Sequence, residues 1–459
     1  MKPLIKQIET DLDAFDIYTL FKNEKETALL DSSKKDSSLS EYSILGIYPF
    51  LKIKYENSLV TISSFDSESN IAEESNFNGD VFKYLQQILD KYKIDSHPSL
   101  PFTCGGIGYL SYDLARKLEV IPEKAVKDLE IPDMYINFYD SYVILDHINN
   151  KVFICTLGIL KEKNERFIEI KNKILKGKKL QYSPPIKTNT IFKSDFSKED
   201  YLAHIERVRA YIKSGDIYIT NLTQRFNCKT YKAAYDIYKD LRFINPAPFS
   251  SFLNFEDFSI ISSSPERFLK IRNGFVETRP IKGTSPRGAT KEEDIINKNF
   301  LKNSEKDKSE LLMIVDLERN DLSKVCKPHS VKVTELFKIE EYSTVFHLVS
   351  TIIGELKHEM TAVDCMKACF PGGSITGAPK IRSMEIIDEL EKTRRSIYTG
   401  CIGYFGFDGN ADFNIVIRTI VLKDNRATFG VGGGITWESI KEAEYSEILD
   451  KAKALMKVL

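Results

Sequence analysis

Lys282 sits between Pro280-Ile281 and Gly283-Thr284, in the run Glu-Thr-Arg-Pro-Ile-Lys-Gly-Thr-Ser-Pro-Arg-Gly that covers 277–288. A lysine with small or apolar neighbours can be partly desolvated, which lowers its pKa and frees the amine as a nucleophile. Otherwise it is an ordinary exposed loop lysine. Two acidic pairs offer a second kind of chemistry. Asp307 and Glu310 fall one helical turn apart, and Glu444, Glu447 and Lys451 share a face at i, i+3 and i+7. Ile314 and Leu317 continue the face of Glu310, so that carboxylate points to an apolar side, where it needs a cation or a metal. Two helices that each carry such a pair could hold a hard dication with water in its remaining positions, which suits Mg²⁺. The other reading of Glu447 is a solvated ion pair with Lys451. Arg418, between Ile417 and Thr419-Ile420, needs an anion: a buried Asp or Glu, or a substrate carboxylate.

The elements that must position these groups can be read around them. Pro and Gly make the Lys282 run a strand end entering a turn. Ser304 to Asp307 is a capping-box pattern that predicts a helix through Leu317, and the last helix should run from Lys441 to about Val458. Arg418 should lie in the second strand of a hairpin, Tyr398–Phe407 with Asp412–Leu422, around Asp408-Gly409. Phe429–Ile435 reads as a strand whose successive glycines Gly432, Gly433 and Gly434 admit something close to the backbone. Phe370–Lys380 is a glycine-rich turn entering a helix with Pro379 at its first position; its N-terminus could hold an anion or simply pack on a sheet. It lacks the P-loop spacing.

Further upstream, Ser197–Asp200 caps a helix with Tyr201, Ile205, Val208 and Ile212 on one face, ended by Gly215. Strands are expected at Ile217–Phe226 and Phe258–Ser262. Residues 15–62 read as short strands around a Ser-, Lys- and Asp-rich loop at 31–40, and a helix should cover 81–93. Gly105-Gly-Ile-Gly reads as a strand with close backbone packing, and 141–157 as two strands around Asn149-Asn150. Residues 171–196, Lys-rich and with Pro184-Pro185, form the clearest linker. The chain thus divides into 1–170, a linker at 171–196, and 197–459.

Composition limits the function classes. The 459 residues are 42% hydrophobic and 29% charged, as in ordinary soluble proteins, and the net charge of −1 gives no reason to expect nucleic acid. Seven scattered cysteines without a CxxC pattern suggest reduced thiols, and the six histidines show no HExxH. No apolar run is long enough to span a bilayer and the N-terminus does not read as a signal peptide, so the expected place is the cytoplasm, away from membranes.

Taken together these stretches resemble the chorismate-utilising enzymes, and most of all their aminodeoxychorismate-forming branch. The resemblance rests on Gly215-Asp-Ile-Tyr with Asn221-Leu-Thr-Gln-Arg-Phe, Ser263-Ser-Pro-Glu-Arg-Phe, Arg279-Pro-Ile-Lys-Gly-Thr and Val315-Asp-Leu-Glu-Arg-Asn-Asp. It continues through Phe370–Lys380, Ile417-Arg-Thr and Gly432-Gly-Gly-Ile with Glu444-Tyr-Ser-Glu. It is dense from about residue 197 onward and looser over 15–145. Relatives that form anthranilate, isochorismate or salicylate carry Ala at the place of Lys282. Ile219 stands where isochorismate and salicylate enzymes carry a water-activating lysine, and where the amine-using branches usually carry Gln.

The resemblance implies an α/β (α+β) layered sandwich of large, mostly antiparallel sheets flanked by helices, with the linker internal to one body. It implies Mg²⁺ on Glu310 and Glu447, with Asp307 and Glu444 nearby. Arg418 would clamp the enolpyruvyl carboxylate of chorismate, helped by Tyr398 and Lys451, and the backbone N–H groups of Thr284 and of Gly432, Gly433 and Gly434 would add donors. Gly283-Thr284 matches a substrate-contacting turn. Glu266 would protonate the leaving hydroxyl, Lys282 would attack C2, and ammonia would then enter at C4. His347 is either a site histidine or a core one. The chain has no recognisable glutamine amidotransferase motif, so ammonia should come from a separate glutaminase subunit. Leu29–Ser32 matches a region that holds tryptophan in relatives, here a feedback pocket or a structural one. Two rival readings are an anthranilate-forming enzyme and a non-catalytic nucleotide-binding module.

Overall fold

The computed structural model describes residues 2–34, 39–182, 184, 190–341 and 345–459. Parts of the 31–40 loop and of the 171–196 segment, Pro185 included, lie outside the described residues. Every pairing between named strands is antiparallel, and helices pack on the sheet faces around two apolar cores. This is the expected layered architecture.

The sheet joins the two halves of the chain. Ala28–Asp31 pairs with Phe249–Asn254, and Gly105–Leu110 pairs with Cys401–Gly406. The second contact needs bare backbone: a methyl on Gly105 would lie 2.1 Å from the Phe405 carbonyl oxygen of the neighbouring strand. The long strands Tyr42–Glu56 and Met134–Asp146 centre the first half, the latter forming a hairpin with Lys151–Thr156 as expected. The helix Lys163–Leu175 runs into the segment read as a linker, and Lys193–Ser194 pairs with Ile219–Lys229, so both ends of that segment are structured.

Four strands and two helices carry the site. Ile219–Lys229 pairs with Arg426–Ile435, setting Asn221 opposite Gly434, Leu222 opposite Gly433 and Thr223 opposite Gly432. Ile281–Pro286 pairs with Val345–Glu355. The helix Glu305–Val325 is capped by the Ser304 hydroxyl, which accepts from Asp307 N at 3.3 Å. The helix Lys441–Val458 packs on the glycine strand through Ile448, Ala452 and Leu455.

Several expected boundaries shift. The helix expected to end at Leu317 continues to Val325, because its buried face passes to Glu318, Asp321 and Leu322 while Leu317 stays half-buried. The helix expected over 81–93 ends at Lys91. Pro379 is the N-cap of Lys380–Leu390 and not its first residue. The expected second strand of the Asp408-Gly409 hairpin breaks into Ala411–Asn414 and Thr419–Lys423. Arg418 lies in that break with φ +51°, so it occupies a bend and not a strand. Among the described residues no helix is long and apolar enough to cross a membrane.

Candidate active site

Lys282 leaves its strand beside a β-bulge. The register passes from Lys282 opposite Leu348 to Thr284 opposite His347, with Gly283 as the extra residue at φ +74°. A side chain at Gly283 would meet Leu301 Cδ1 at 2.8 Å and Asp307 Cβ at 2.9 Å, so the first turn of the acidic helix seats directly on this bulge. The Lys282 amine donates to the Ser374 carbonyl at 3.1 Å. It also faces the glycine strand. A methyl at Gly434 would lie 3.3 Å from Lys282 Nζ, 3.7 Å from Glu310 Oε2 and 3.2 Å from Ile219 Cδ1. Lys282 and Glu310 therefore converge over bare backbone, and Ile219 walls that space with hydrocarbon.

Around this amine the sequence expectation needs correction. Its local neighbours offer little charge, yet Glu266, Glu310 and Glu447 all feel the charge of Lys282. These carboxylates come from three other segments. Glu266 is buried, and burial raises its pKa despite a hydrogen bond from the Ser374 side chain and the nearby Lys282 charge. A buried carboxyl held toward its protonated form is what a general acid requires. Burial also pushes Glu310 up to about 7 against the pull of Lys282 and Lys306, with Asp307 and Glu444 adding to the rise.

Of the four acids read as metal ligands, Glu310 and Glu444 converge on Lys306, while Asp307 interacts with the charge of Glu310 and Glu447 with that of Lys306. Glu444 is buried, accepts from Ser439 Oγ at 2.7 Å and from Lys306 Nζ at 3.1 Å, and its Oε2 lies 3.5 Å from a methyl built at Gly433. Glu447 is largely exposed and pairs with Lys451 at 2.8 Å, the ion pair that the spacing allowed; burial tends to raise its pKa, but Lys451, Lys306 and Lys282 hold it below the usual value. Glu310 Oε1 is buried without a hydrogen-bond partner. That orphaned oxygen, in an all-oxygen donor set, fits a hard cation. Among the described residues no three such side chains already form a closed cage. Mg²⁺ does not require one, since it usually takes one or two carboxylates and completes its shell with water and substrate.

Arg418 answers the question that its sequence setting left open. No Asp or Glu pairs with it among the described residues; its Nη1 reaches only Asn245 Oδ1, at 3.5 Å. Burial alone pulls its guanidinium below its ordinary value. A desolvated cation without a protein anion is suited to an incoming carboxylate. Thr284 Oγ1 hydrogen-bonds to His347 Nδ1 at 2.9 Å, and burial, with the charges of Arg418 and Lys34, holds His347 down to about 3. His347 is therefore neutral near pH 7 and orients Thr284.

The remaining predicted contacts divide. Along the glycine strand, Asn221 N and Thr223 N turn away to Thr376 O and Glu391 Oε1, and Gly432 O accepts from Lys451 Nζ at 3.0 Å. The antiparallel alternation thus leaves the N–H groups of Gly432 and Gly434 facing away from the partner strand, while that of Gly433 faces it. Tyr398 packs its ring on Gly430, next to the Arg395–Glu391 ion pair. The Leu30–Ser32 stretch lines a separate cavity with Tyr42, Pro248 and Asn414, and Asp31 there is held by Arg242 at 2.7 Å and Tyr238 at 2.9 Å.

Ser374 and Glu318 were not singled out in the sequence. Ser374 lies in the glycine-rich turn, where Lys380 braces the chain by donating to the Cys369 and Pro371 carbonyls and pairing with Asp321. Glu318 is buried behind Glu266, accepts from Thr278 Oγ1 at 2.8 Å, and is pushed by burial up to about 8 from an ordinary 4.5. Folding therefore favours the protonated acid. That stability is complete below pH 4.5 and fades as pH rises through about 8. Glu318→Gln, which keeps the Thr278 acceptor, should flatten the decline of Tm between pH 4.5 and about 8, the window set by those two values. Equal slopes for both proteins in thermal melts would refute this.

Comparison with known proteins places these features in context. The family model for chorismate binding enzyme matches residues 27–457. Aminodeoxychorismate synthase component 1 of Klebsiella aerogenes is 41% identical over 433 residues, covering 93% of this chain and 92% of its own length. Anthranilate synthase component 1 of Acetivibrio thermocellus is 35% identical over 477 residues, covering 100% of this chain and 95% of its own. The crystal structure of anthranilate synthase component I from Streptococcus pneumoniae TIGR4 superposes with a TM-score of 0.78 at 32% identity, covering 92% of this chain and 93% of that one.

Proposed function

The chain belongs to the chorismate-binding enzyme family, and from that membership we propose that it aminates chorismate at C4 to 4-amino-4-deoxychorismate, as an aminodeoxychorismate synthase component I. The observation that carries the reading is Lys282, whose amine stands over Gly434 between Glu266 and Glu310, with Ile219 in place of any water-activating base.

Arg418 binds the enolpyruvyl carboxylate, and the outward N–H groups of Gly432 and Gly434 with Thr284 supply further donors. Glu310 and Glu447 would hold Mg²⁺, with Asp307 and Glu444 beside them. The ion, when bound, neutralises the ring carboxylate and orients it. The Lys282 amine forms a bond to C2 through its nitrogen lone pair. Both conjugated ring double bonds shift toward C4, the C4–O bond breaks, and Glu266 gives its proton to the departing oxygen, which leaves as water. Ammonia then bonds to C4, both double bonds shift back, and the C2–N bond to Lys282 breaks. Pyruvate is retained, which separates this reaction from anthranilate formation.

The site works on ammonia, which a separate glutamine amidotransferase subunit supplies; the relatives' designation as component 1 supports such a partner. We place the enzyme in the cytoplasm and in the route to 4-aminobenzoate and folate; its seven buried free cysteines agree with a reducing compartment.

The test is mass analysis of the product from chorismate, Mg²⁺ and ammonium. Chorismate with its hydroxyl replaced by an amine is expected, and glutamine should not replace ammonium for the purified chain. Fluorescent anthranilate would instead establish the anthranilate synthase reading.

A further inference from the structure

Lys306 is an unusual residue for its position. It is the second residue of the helix Glu305–Val325, where the positive end of the helix dipole disfavours a cation. It nevertheless reaches inward. Its amine lies 3.1 Å from Glu444 Oε1 and 3.8 Å from Glu310 Oε1. Those side chains are only 5% and 10% exposed, whereas Lys306 is 39% exposed. The two carboxylates belong to different helices and could not both remain charged in this setting without a cation. Lys306 meets the need incompletely. It hydrogen-bonds to Glu444, but its separation from Glu310 exceeds hydrogen-bond length and leaves that oxygen orphaned.

The acids are held while the lysine can leave. Ser439 fixes Glu444, and Glu310 is buried on the inner side of its helix. The lysine stem, by contrast, lies along the surface and can swing its amine back to water. We propose that Lys306 is the built-in counter-ion of the acidic pocket of the free protein, and that an incoming divalent cation must displace it. This rests on the metal reading given above. It makes Lys306 a positioning residue that sets the threshold for metal occupancy and prevents Glu310 and Glu444 from repelling each other before the ion arrives.

Lys306→Met keeps the stem and removes the charge. Titration calorimetry with Mg²⁺ alone should show the variant binding roughly tenfold or more tightly than the wild type, as expected when a competing cation is removed. Metal-free Lys306→Met should melt below the wild type, and saturating Mg²⁺ should restore more of its Tm. The double variant Lys306→Met/Glu310→Gln should lose the gain in affinity. Should the single variant not fold, the wild type still reports. Acylation of Lys306 by an amine reagent, followed by peptide mass mapping, should accelerate when Mg²⁺ is added. Equal or weaker Mg²⁺ binding by the variant, or an unchanged acylation rate in a wild type that does bind Mg²⁺, overturns displacement and leaves the metal reading standing. Absence of any Mg²⁺ heat or Tm response in both proteins, even with chorismate present, overturns the metal reading and the proposal with it.

Discussion

Lys282→Ala is expected to bind chorismate and to aminate it roughly 10²- to 10⁴-fold more slowly, the span associated with loss of a positioned reacting group. Binding should persist because Arg418 and the acidic helices do not depend on this side chain. The wild type makes the stronger test. Incubated with chorismate and Mg²⁺ but no ammonia, it should gain the mass of chorismate less one water, and peptide mapping should place that mass on Lys282. Ammonium should then discharge it. The geometry favours this outcome because the amine is held by the Ser374 carbonyl at 3.1 Å and confronts the bare backbone of Gly434. An undiminished rate in the Ala variant, with no adduct in the wild type, would reduce Lys282 to a group that merely positions the ring. The anthranilate reading would then gain ground.

Arg418→Ala should act on binding. Losing a desolvated, bidentate carboxylate contact costs on the order of 2–5 kcal/mol, or about 30-fold to several thousand-fold in apparent chorismate affinity. Stability should move the other way or not at all. Arg418 has no carboxylate partner among the described residues, so its removal deletes an uncompensated charge and orphans no acid. The φ of +51° is retained by Ala, so backbone strain does not change. A rise in KM with an unchanged or higher Tm is the expected pair of results. A fall in Tm with KM unchanged would return Arg418 to a structural role.

Much of this site was legible where one residue's type met its immediate neighbours. Lys282 in Pro-Ile-Lys-Gly-Thr, the acidic pair near the start of a capped helix, and the three glycines each carry their meaning within a few positions. The structure places Lys282 and Glu310 beside Gly434, and Asp307 beside Gly283. What stayed hidden depends on distance through space. The carboxylates facing Lys282 arrive from other segments, and Lys306 gains its role only because Glu444 reaches it from the last helix. Ser374 was read as part of a turn, and only the packing of that turn against the lysine strand gives its carbonyl and hydroxyl partners. The placement of Arg418 was missed for a different reason. Flanking apolar residues look the same whether the backbone is extended or bends through positive φ, so periodicity could not reveal the break. The same limitation ended the acidic helix early, since Glu318 and Asp321 look like solvent-facing acids until the groups that cover them are known.

The way the sheet crosses between the halves also governs how the protein is made. Gly105–Leu110 has no permanent neighbour on one side until Cys401–Gly406 has left the ribosome, and Ile219–Lys229 waits for the glycine strand. Lys282, Arg418 and the helix Lys441–Val458 can meet only after that helix has been made. A nascent chain must therefore keep two long apolar strand edges from pairing with other molecules while it lengthens. The enzyme gains no activity by instalments: a chain stopped short of its final helix would carry Lys282 without Glu444 or Glu447 beside it.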